Sequence, residues 1–268
     1  MKDKVVIITG GSSGIGKALA EVFGGRGSKI IITGRNKKDL DETVDLLRQK
    51  KIEISGFQAD VSVESDNQKM AEEAIRIYGR IDILINNAGI TMRALFSELD
   101  LSVVKKVMDI NFYGVLYATK YCLPEILKNK GSVIGISSIA GYRGLPGRTG
   151  YSSSKFALNG FLEVLRTELL KKDVHVLTAC PGFTASNTRK RALTKDGSIQ
   201  GESPRNEDNM MTAEDCALHI YRATVRRKKI LILTTLGKFT LFMNKWFPGL
   251  VDKLVYNVMA KETDSPLK

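Results

Sequence analysis

Seven short runs of β-branched and aliphatic residues divide this chain: Val5–Thr9, Lys29–Thr33, Ile52–Phe57, Ile81–Ile85, Ser132–Ile136, Val174–Thr178 and Ile230–Leu233. Longer amphipathic stretches, such as Lys37–Lys50 and Val63–Tyr78, lie between them. Strands apolar on both faces must be covered on both faces, and strands alternating with helices join as right-handed parallel crossovers. The pattern predicts an α/β fold, a doubly wound parallel sheet of about seven strands between two layers of helices. At 268 residues one large core can be buried. No repeat or linker interrupts the chain before residue 226, so 1–235 reads as one domain and 236–268 as an extension of it. Within the domain, 184–211 is long, polar and weakly periodic, which suits a lid or binding loop.

Composition removes several classes. Cys122, Cys180 and Cys216 are odd in number and widely spaced, as suits buried thiols in a reducing cytosol rather than a disulfide framework. His175 and His219 are the only histidines and no Cys/His cluster exists, so no metal site is expected. No apolar run reaches the ~18–20 residues of a membrane span, and the opening MKDKVVIITG lacks the build of a signal peptide. A cytoplasmic location is expected. The net charge is +12, and residues 226–268, with nine Lys/Arg against three Asp/Glu, supply half of it. A basic tail suits nucleic acid, an anionic membrane, acidic ligands or plain solvation. A nucleic-acid partner would explain the charge but none of the motifs that follow, and none is expected.

The first run leads into Thr9-Gly-Gly-Ser-Ser-Gly-Ile-Gly16, with a helix beginning near Lys17. Gly10, Gly14 and Gly16 are spaced GxxxGxG, not the GxGxxG of the usual dinucleotide fingerprint, yet the physics is the same. Glycines let the chain turn sharply and bring backbone N–H groups to a pyrophosphate at a helix N-terminus, where the dipole favours anions. Ser12, Ser13 and Ile15 complete this candidate cradle. The second run ends in Thr33-Gly34-Arg35-Asn36. An acidic residue there would hold the ribose 2′-hydroxyl of NAD. Gly34 has no carboxylate to repel a phosphate, and the guanidinium of Arg35 can pair with a 2′-phosphate and stack on adenine. The cofactor expected is NADP(H).

Further motifs stand in order along the chain. Asp60-Val61 follows the third run, Asn86-Asn87-Ala88-Gly89 the fourth, and Asn111 lies in the next helix. Ser137-Ser138 follows the fifth run, then Tyr151-xxx-Lys155, and Pro181-Gly182 follows the sixth. With TGGSSGIG, this arrangement closely resembles the short-chain dehydrogenase/reductase family from residue 3 to about residue 186. The resemblance implies a Rossmann-type sheet, with Asp60 and Val61 flanking adenine and Asn87, Ala88 and Gly89 lining the adenosine ribose. Pro181 and Gly182 would border the nicotinamide, and Ser186 would take the place of a threonine that often bonds its carboxamide. The resemblance also implies that Lys155 binds the nicotinamide ribose and that Asn111 holds a water linking the lysine to solvent.

The chemistry of the Tyr151–Lys155 spacing can be read directly. Residues four apart on a helix share a face. A carbonyl that accepts hydride must also gain a proton, from an acid within hydrogen-bond reach. A free phenol, with a pKa of about 10, is a weak donor, and a neighbouring cation lowers that value. Tyr151 reads as the general acid or base, Lys155 as the cation, and Ser138 as the hydrogen-bond donor to the developing oxyanion. The substrate pocket is expected from Thr91–Phe96, Ile139–Arg148 and the 184–211 loop, with Met92, Phe96, Arg143 and Ser138 as candidate contacts. Arg143 and Arg148 suit an acidic substrate, although loop arginines also serve solvation.

In the tail, apolar residues from Phe239 to Met259 recur about every fourth position and are interrupted at Pro248-Gly249, which predicts two short amphipathic helices. They either pack on the domain or a partner subunit, or form an interfacial anchor or hydrophobic substrate mouth over 236–260, with Trp246 beside Lys238, Lys245 and Lys253. The tail resembles the C-terminal extension of the 11β-hydroxysteroid-dehydrogenase-like branch, which implies steroid, retinoid or lipid-ketone substrates. The expectation is an NADP(H)-dependent oxidoreductase acting on a ketone or secondary alcohol of a hydrophobic substrate. A 3-oxoacyl-thioester reductase and a non-catalytic NADPH-binding interaction or sensor protein stand beside it. The family resemblance further implies a homodimer or homotetramer.

Overall fold

In the computed structural model, residues 1–184, 188–205 and 210–268 are described. The β-branched runs form strands because such side chains fit a pleated surface buried on both faces. The strands are β1 (Val5–Ile8), β2 (Lys29–Gly34), β3 (Ile54–Gln58), β4 (Ile83–Asn86), β5 (Ser132–Ile136), β6 (His175–Cys180) and β7 (Ile230–Ile232). They make one parallel sheet in the order β3-β2-β1-β4-β5-β6-β7. The helices are α1 (Gly14–Gly24), α2 (Lys37–Gln49), α3 (Glu64–Tyr78), α4 (Leu101–Met108), α5 (Gly114–Lys128), α6 (Thr149–Glu168), α7 (Ala213–Val225), α8 (Thr235–Trp246) and α9 (Pro248–Ala260).

Alternation along β1 separates the two covers of the sheet. Val6 and Ile8 face Leu19 of α1, Leu40 of α2 and Ile220 of α7, whereas Ile7 faces Met70 of α3, Ala118 of α5 and Leu162 of α6. The expected doubly wound α/β fold is therefore what the chain adopts. Chain direction across the sheet reverses between β1 and β4, and at such a point a crevice opens beyond the carboxyl ends of the strands.

Two boundaries differ from the sequence expectation. Ile52 belongs to the turn that closes α2: its N–H reaches Leu47 O at 3.1 Å and Lys51 before it takes φ +61°. The third strand accordingly starts at Ile54. The first helix starts at Gly14 instead of near Lys17, which puts Gly14 and Gly16 in its first turn. Between α4 and α5 the chain passes through a π-helical turn, Asp109–Tyr113, whose extra width carries Asn111 inward. In the extension, α9 opens on Pro248, whose fixed φ and missing N–H suit a first helical position. Beyond α9 the chain returns to the domain, burying Glu262 and Ser265 and laying Pro266 against Gly147.

Candidate active site

A cavity of about 670 Å³ occupies the crevice at the β1–β4 reversal. The first turn forms one wall and is tied down by Thr9. The Thr9 hydroxyl accepts the N–H groups of Asn87 at 3.0 Å and Ala88 at 3.1 Å, and the Asn87 amide donates back to Thr9 O at 2.9 Å and Gly10 O at 3.1 Å. Gly10 and Gly14 take φ of +64° and +51°, in the region that favours glycine. A Cβ on Gly16 would stand 2.2 Å from the Gly10 carbonyl oxygen, so α1 can begin this close to the turn only without a side chain there. Ser13 at its N-cap makes no side-chain cap, and its first turn holds no acidic residue. The positive end of α1 is thus turned, uncapped by any side chain, toward the cavity, and suits a pyrophosphate.

Ser12, Ser13, Gly14, Ile15 and Gly16 line this end with Gly34, Arg35, Asp60 and Val61. Arg35 Nη1 lies 3.8 Å from Asp60 Oδ2, while Asp60 also accepts from Ser62 N at 3.0 Å and Ser62 Oγ at 2.7 Å. Arg35 is 58% exposed, so it has room to meet a further anion. Asn87, Ala88 and Gly89 line the middle, and Pro181 and Gly182 the inner end. Ser186 lies outside the described residues.

Ser138, Tyr151 and Lys155 also line the cavity. Ser138 follows β5, and its Oγ accepts Ala140 N at 3.2 Å, which leaves the hydroxyl hydrogen available to donate. Tyr151 and Lys155 sit one turn apart near the start of α6, and Lys155 Nζ lies 5.8 Å from the Tyr151 ring centroid. Lys155 is buried, and its Nζ donates to Ile136 O at 2.9 Å. Burial pushes its pKa down to about 8. Tyr151 is shifted up from the usual phenol value, first by burial. A hydrogen bond with Ser138 pulls it down, as do the charges of Arg148 and Arg189. The lysine shares the face of the phenol, and the serine and the arginines pull the phenol down.

Four expected residues lie elsewhere. Asn111 stands behind the cavity wall: its amide oxygen accepts Ile90 N at 2.8 Å, and its amide nitrogen donates to Ile90 O and Ser154 Oγ, both at 2.9 Å. It lies across Gly89 from Lys155, since a Cβ on Gly89 would sit 3.2 Å from Asn111 Oδ1 and 3.6 Å from Lys155 Nζ. Met92 does not reach the cavity. It bridges to Leu193 and is wholly buried in a small apolar cluster with Val103 and Val107. Phe96, on a single 3₁₀ turn, is 65% exposed and does not line this cavity. Arg143 is drawn away by the extension, donating to Asn244 at 3.0 Å and pairing with Asp252.

Thr91 and Leu145 line the cavity, as do Phe183, Leu193, Ile199 and Met259. Arg148, Arg205 and Glu262 meet there as well. Arg148 lies within a stretch already marked for the pocket, but Glu262 is a lone acid in the tail with no local pattern to flag it.

Residues 4–197 match the short chain dehydrogenase family model. The chain belongs to the short-chain dehydrogenase family. As a member it is an oxidoreductase by class. It is 37% identical to dehydrogenase/reductase SDR family member 7B of Xenopus laevis over 267 residues, covering 97% of this chain and 83% of that one. It is 32% identical to 11-beta-hydroxysteroid dehydrogenase 1A of Arabidopsis thaliana over 260 residues, 93% of this chain and 73% of that one. In solved structures it resembles a short-chain dehydrogenase/reductase from Burkholderia phymatum in complex with NAD, with a TM-score of 0.84, 23% identity and coverage of 93% and 95%. It also resembles a point variant of actinorhodin polyketide ketoreductase with NADPH, with a TM-score of 0.67, 29% identity and coverage of 69% and 74%. Among the described residues of this short-chain dehydrogenase no helix is long and apolar enough to cross a membrane.

Proposed function

We propose that this short-chain dehydrogenase is an NADP(H)-dependent enzyme that reduces a ketone, or oxidises a secondary alcohol, of a hydrophobic substrate. The observation that carries the reading is one cavity with the uncapped α1 N-terminus and Arg35 toward one end and Ser138, Tyr151 and Lys155 toward the other. Of the two similar structures, one holds NAD and the other NADPH. The choice of NADP(H) therefore rests on Gly34 and the exposed guanidinium of Arg35.

The glycine turn and the α1 N-terminus would hold the pyrophosphate, Arg35 the 2′-phosphate, Asp60 and Val61 the adenine side, and Asn87–Gly89 with Lys155 the riboses. Bound there, the cofactor supplies the hydride. Ser138 Oγ–H donates to the substrate carbonyl oxygen and holds it beside the phenol. Tyr151 Oη gives its proton to that oxygen as negative charge develops. Lys155, whose pKa is near 8 while that of Tyr151 lies above the ordinary phenol value, is the stronger acid of the two, so the phenolate can be reprotonated from its side. Asn111 positions Ile90 and packs across Gly89 from that lysine.

The test is a fluorescence titration of wild type and Arg35→Ala with NADPH and NADH, followed by turnover of a panel of lipid, steroid and acyl-thioester ketones. NADPH preferred by wild type and lost in Arg35→Ala supports the reading; equal NADH binding by wild type overturns the cofactor assignment. Tyr151→Phe that binds NADPH yet turns over no ketone supports the acid–base role, and undiminished turnover overturns it. The panel separates the thioester reductase from other ketone reductases, and a protein that binds NADPH but reduces nothing is the non-catalytic alternative.

Phe156 and Val164 on α6 are exposed apolar residues that support a homodimer or homotetramer packed on that helix. On α8 and α9, Phe239, Phe242, Trp246 and Leu250 are exposed with Lys238, Lys245 and Lys253 on the same helices, which supports a peripheral membrane contact through 236–260. The three cysteines are free and buried, as suits a reducing, cytoplasmic setting.

A further inference from the structure

The substrate end of the cavity holds an unusual charge balance. Glu262, 6% exposed, is reached by three guanidinium groups: Arg205 Nε at 2.6 Å on Oε1, Arg148 Nη2 at 3.2 Å and Arg93 Nε at 3.6 Å on Oε2. Four segments distant in sequence converge here: the stretch after β4, the N-cap of α6, the 188–205 loop and the tail. Three buried or half-buried cations against one carboxylate leave an excess of two positive charges among the described residues. Buried charge without a full complement of partners is costly. Two signs of that cost appear. Arg93 Nε is buried and makes no hydrogen bond. Burial, reinforced by the charges of Arg93 and Arg205, pushes Arg148 down to about 10 despite the pull of Glu262.

The cluster faces the reaction centre. Arg148, Arg205 and Glu262 line the cavity, and Arg148 is close enough to Tyr151 to lower its pKa. Beside them Leu145, Phe183, Leu193, Ile199 and Met259 give an apolar lining, and the Arg205 guanidinium stacks 4.3 Å over the Phe183 ring. An apolar wall ending in under-neutralised arginines matches a ligand with an apolar body and an anionic group.

We propose that Arg148 and Arg205, backed by Arg93, form an anion subsite for the substrate, in which Glu262 serves as the resident counterion. The inference rests on the reading of this cavity as the substrate site of a reductase and adds the class of substrate, an anionic amphiphile whose carboxylate or phosphate ester is held by the arginines while its carbonyl meets Ser138 and Tyr151. The C-terminal tail then sets specificity, because Glu262 both holds the arginines in place and competes with the ligand for them.

The test is calorimetric titration of the full chain, with and without NADPH, using octanoate, octyl phosphate and 1-octanol, which share a chain and differ in head group. At least one anion binding roughly ten-fold or more tightly than the alcohol supports the subsite, and the stronger of the two names the head group. Arg205→Gln, at the most exposed arginine of the set, should remove that preference, and Glu262→Gln should tighten the anion by a similar factor. The alcohol binding as tightly as both anions, or Arg205→Gln leaving the preference intact, overturns the subsite. NADPH binding in the same samples reports the cofactor reading separately. Anion preference without NADPH binding would leave the subsite standing and sink the reductase, and NADPH binding without anion preference would do the reverse.

Discussion

The burial of Lys155 makes a prediction about stability that needs no substrate. The folded protein releases the Lys155 proton near pH 8, whereas the unfolded chain keeps it to the ordinary 10.5. Between these values the unfolded state binds more protons, so this residue makes stability rise with pH from about 8 toward 10.5. The full shift corresponds to about 3 kcal/mol, and integrating from pH 7 to pH 9 leaves roughly 1 kcal/mol of gain. Cys122, Cys180 and Cys216, each pushed up to about 12 by burial, act with the opposite sign above pH 9. The measurement is therefore a difference: urea unfolding of cofactor-free wild type and Lys155→Met at pH 7, 8 and 9, in which the cysteine contribution, about 1 kcal/mol by pH 9, largely cancels. Wild-type stability minus that of Lys155→Met should climb by roughly 1 kcal/mol across the range, whatever its value at pH 7. A flat difference would show that Lys155 enters the fold with an ordinary pKa, and the proton order assigned to the Tyr151–Lys155 pair would fall with it.

Gly16→Ala should fold less stably by about 1–3 kcal/mol and lose NADPH binding, because its Cβ would meet Gly10 O at 2.2 Å and force the turn open; a thermal melt and a cofactor titration check both. Asn111→Leu leaves Ile90 N–H and C=O without their side-chain partners and should cost at least about 2 kcal/mol in denaturant unfolding, so a change within error would remove Asn111 from any positioning role. Phe242→Asp combined with Trp246→Asp should abolish flotation with phosphatidylserine vesicles while leaving the melting temperature close to wild type, since both side chains are more than half exposed.

The strands and the helix-borne pair were legible because their signals are local: β-branched runs mark buried strands, and four residues on a helix bring two side chains to one face. Which residues line the cavity was not, and parity explains why Thr91 does and Met92 does not. In the extended stretch after β4 successive side chains point opposite ways. Thr91 lines the cavity, and Met92 beside it is turned into a core shared with Leu193. Sequence marks that stretch but not which of its residues faces the cavity. Arg143 and Arg148 pose the same problem in a glycine-rich loop, and tertiary partners decide it. Asn244 and Asp252, about a hundred residues onward, take Arg143, and Glu262 takes Arg148. No periodicity connects residues that meet only after the tail folds back.

That fold-back bears on the chemistry of the pair. In water a lysine and a tyrosine have nearly equal pKa values, so neither has reason to pass a proton to the other. Burial disfavours the charged form of each, lowering Lys155 and raising Tyr151, and so makes the lysine the better acid. In the proposed reaction a phenolate left after proton transfer would then be reprotonated downhill, but the same burial would make the first transfer harder. The groups that oppose it are Ser138, Arg148 and Arg189, and Arg148 is held by Glu262. An anion that draws Arg148 away would weaken its pull on the phenol, whereas an anion that shares Arg148 with Glu262 would keep it in place. Under the proposed anion subsite, acid strength at Tyr151 would thus be tied, through one arginine, to how the far end of the substrate is held. The pH profile of turnover should accordingly move to higher pH in Arg148→Gln, with Ser138 and Arg189 left to lower the phenol.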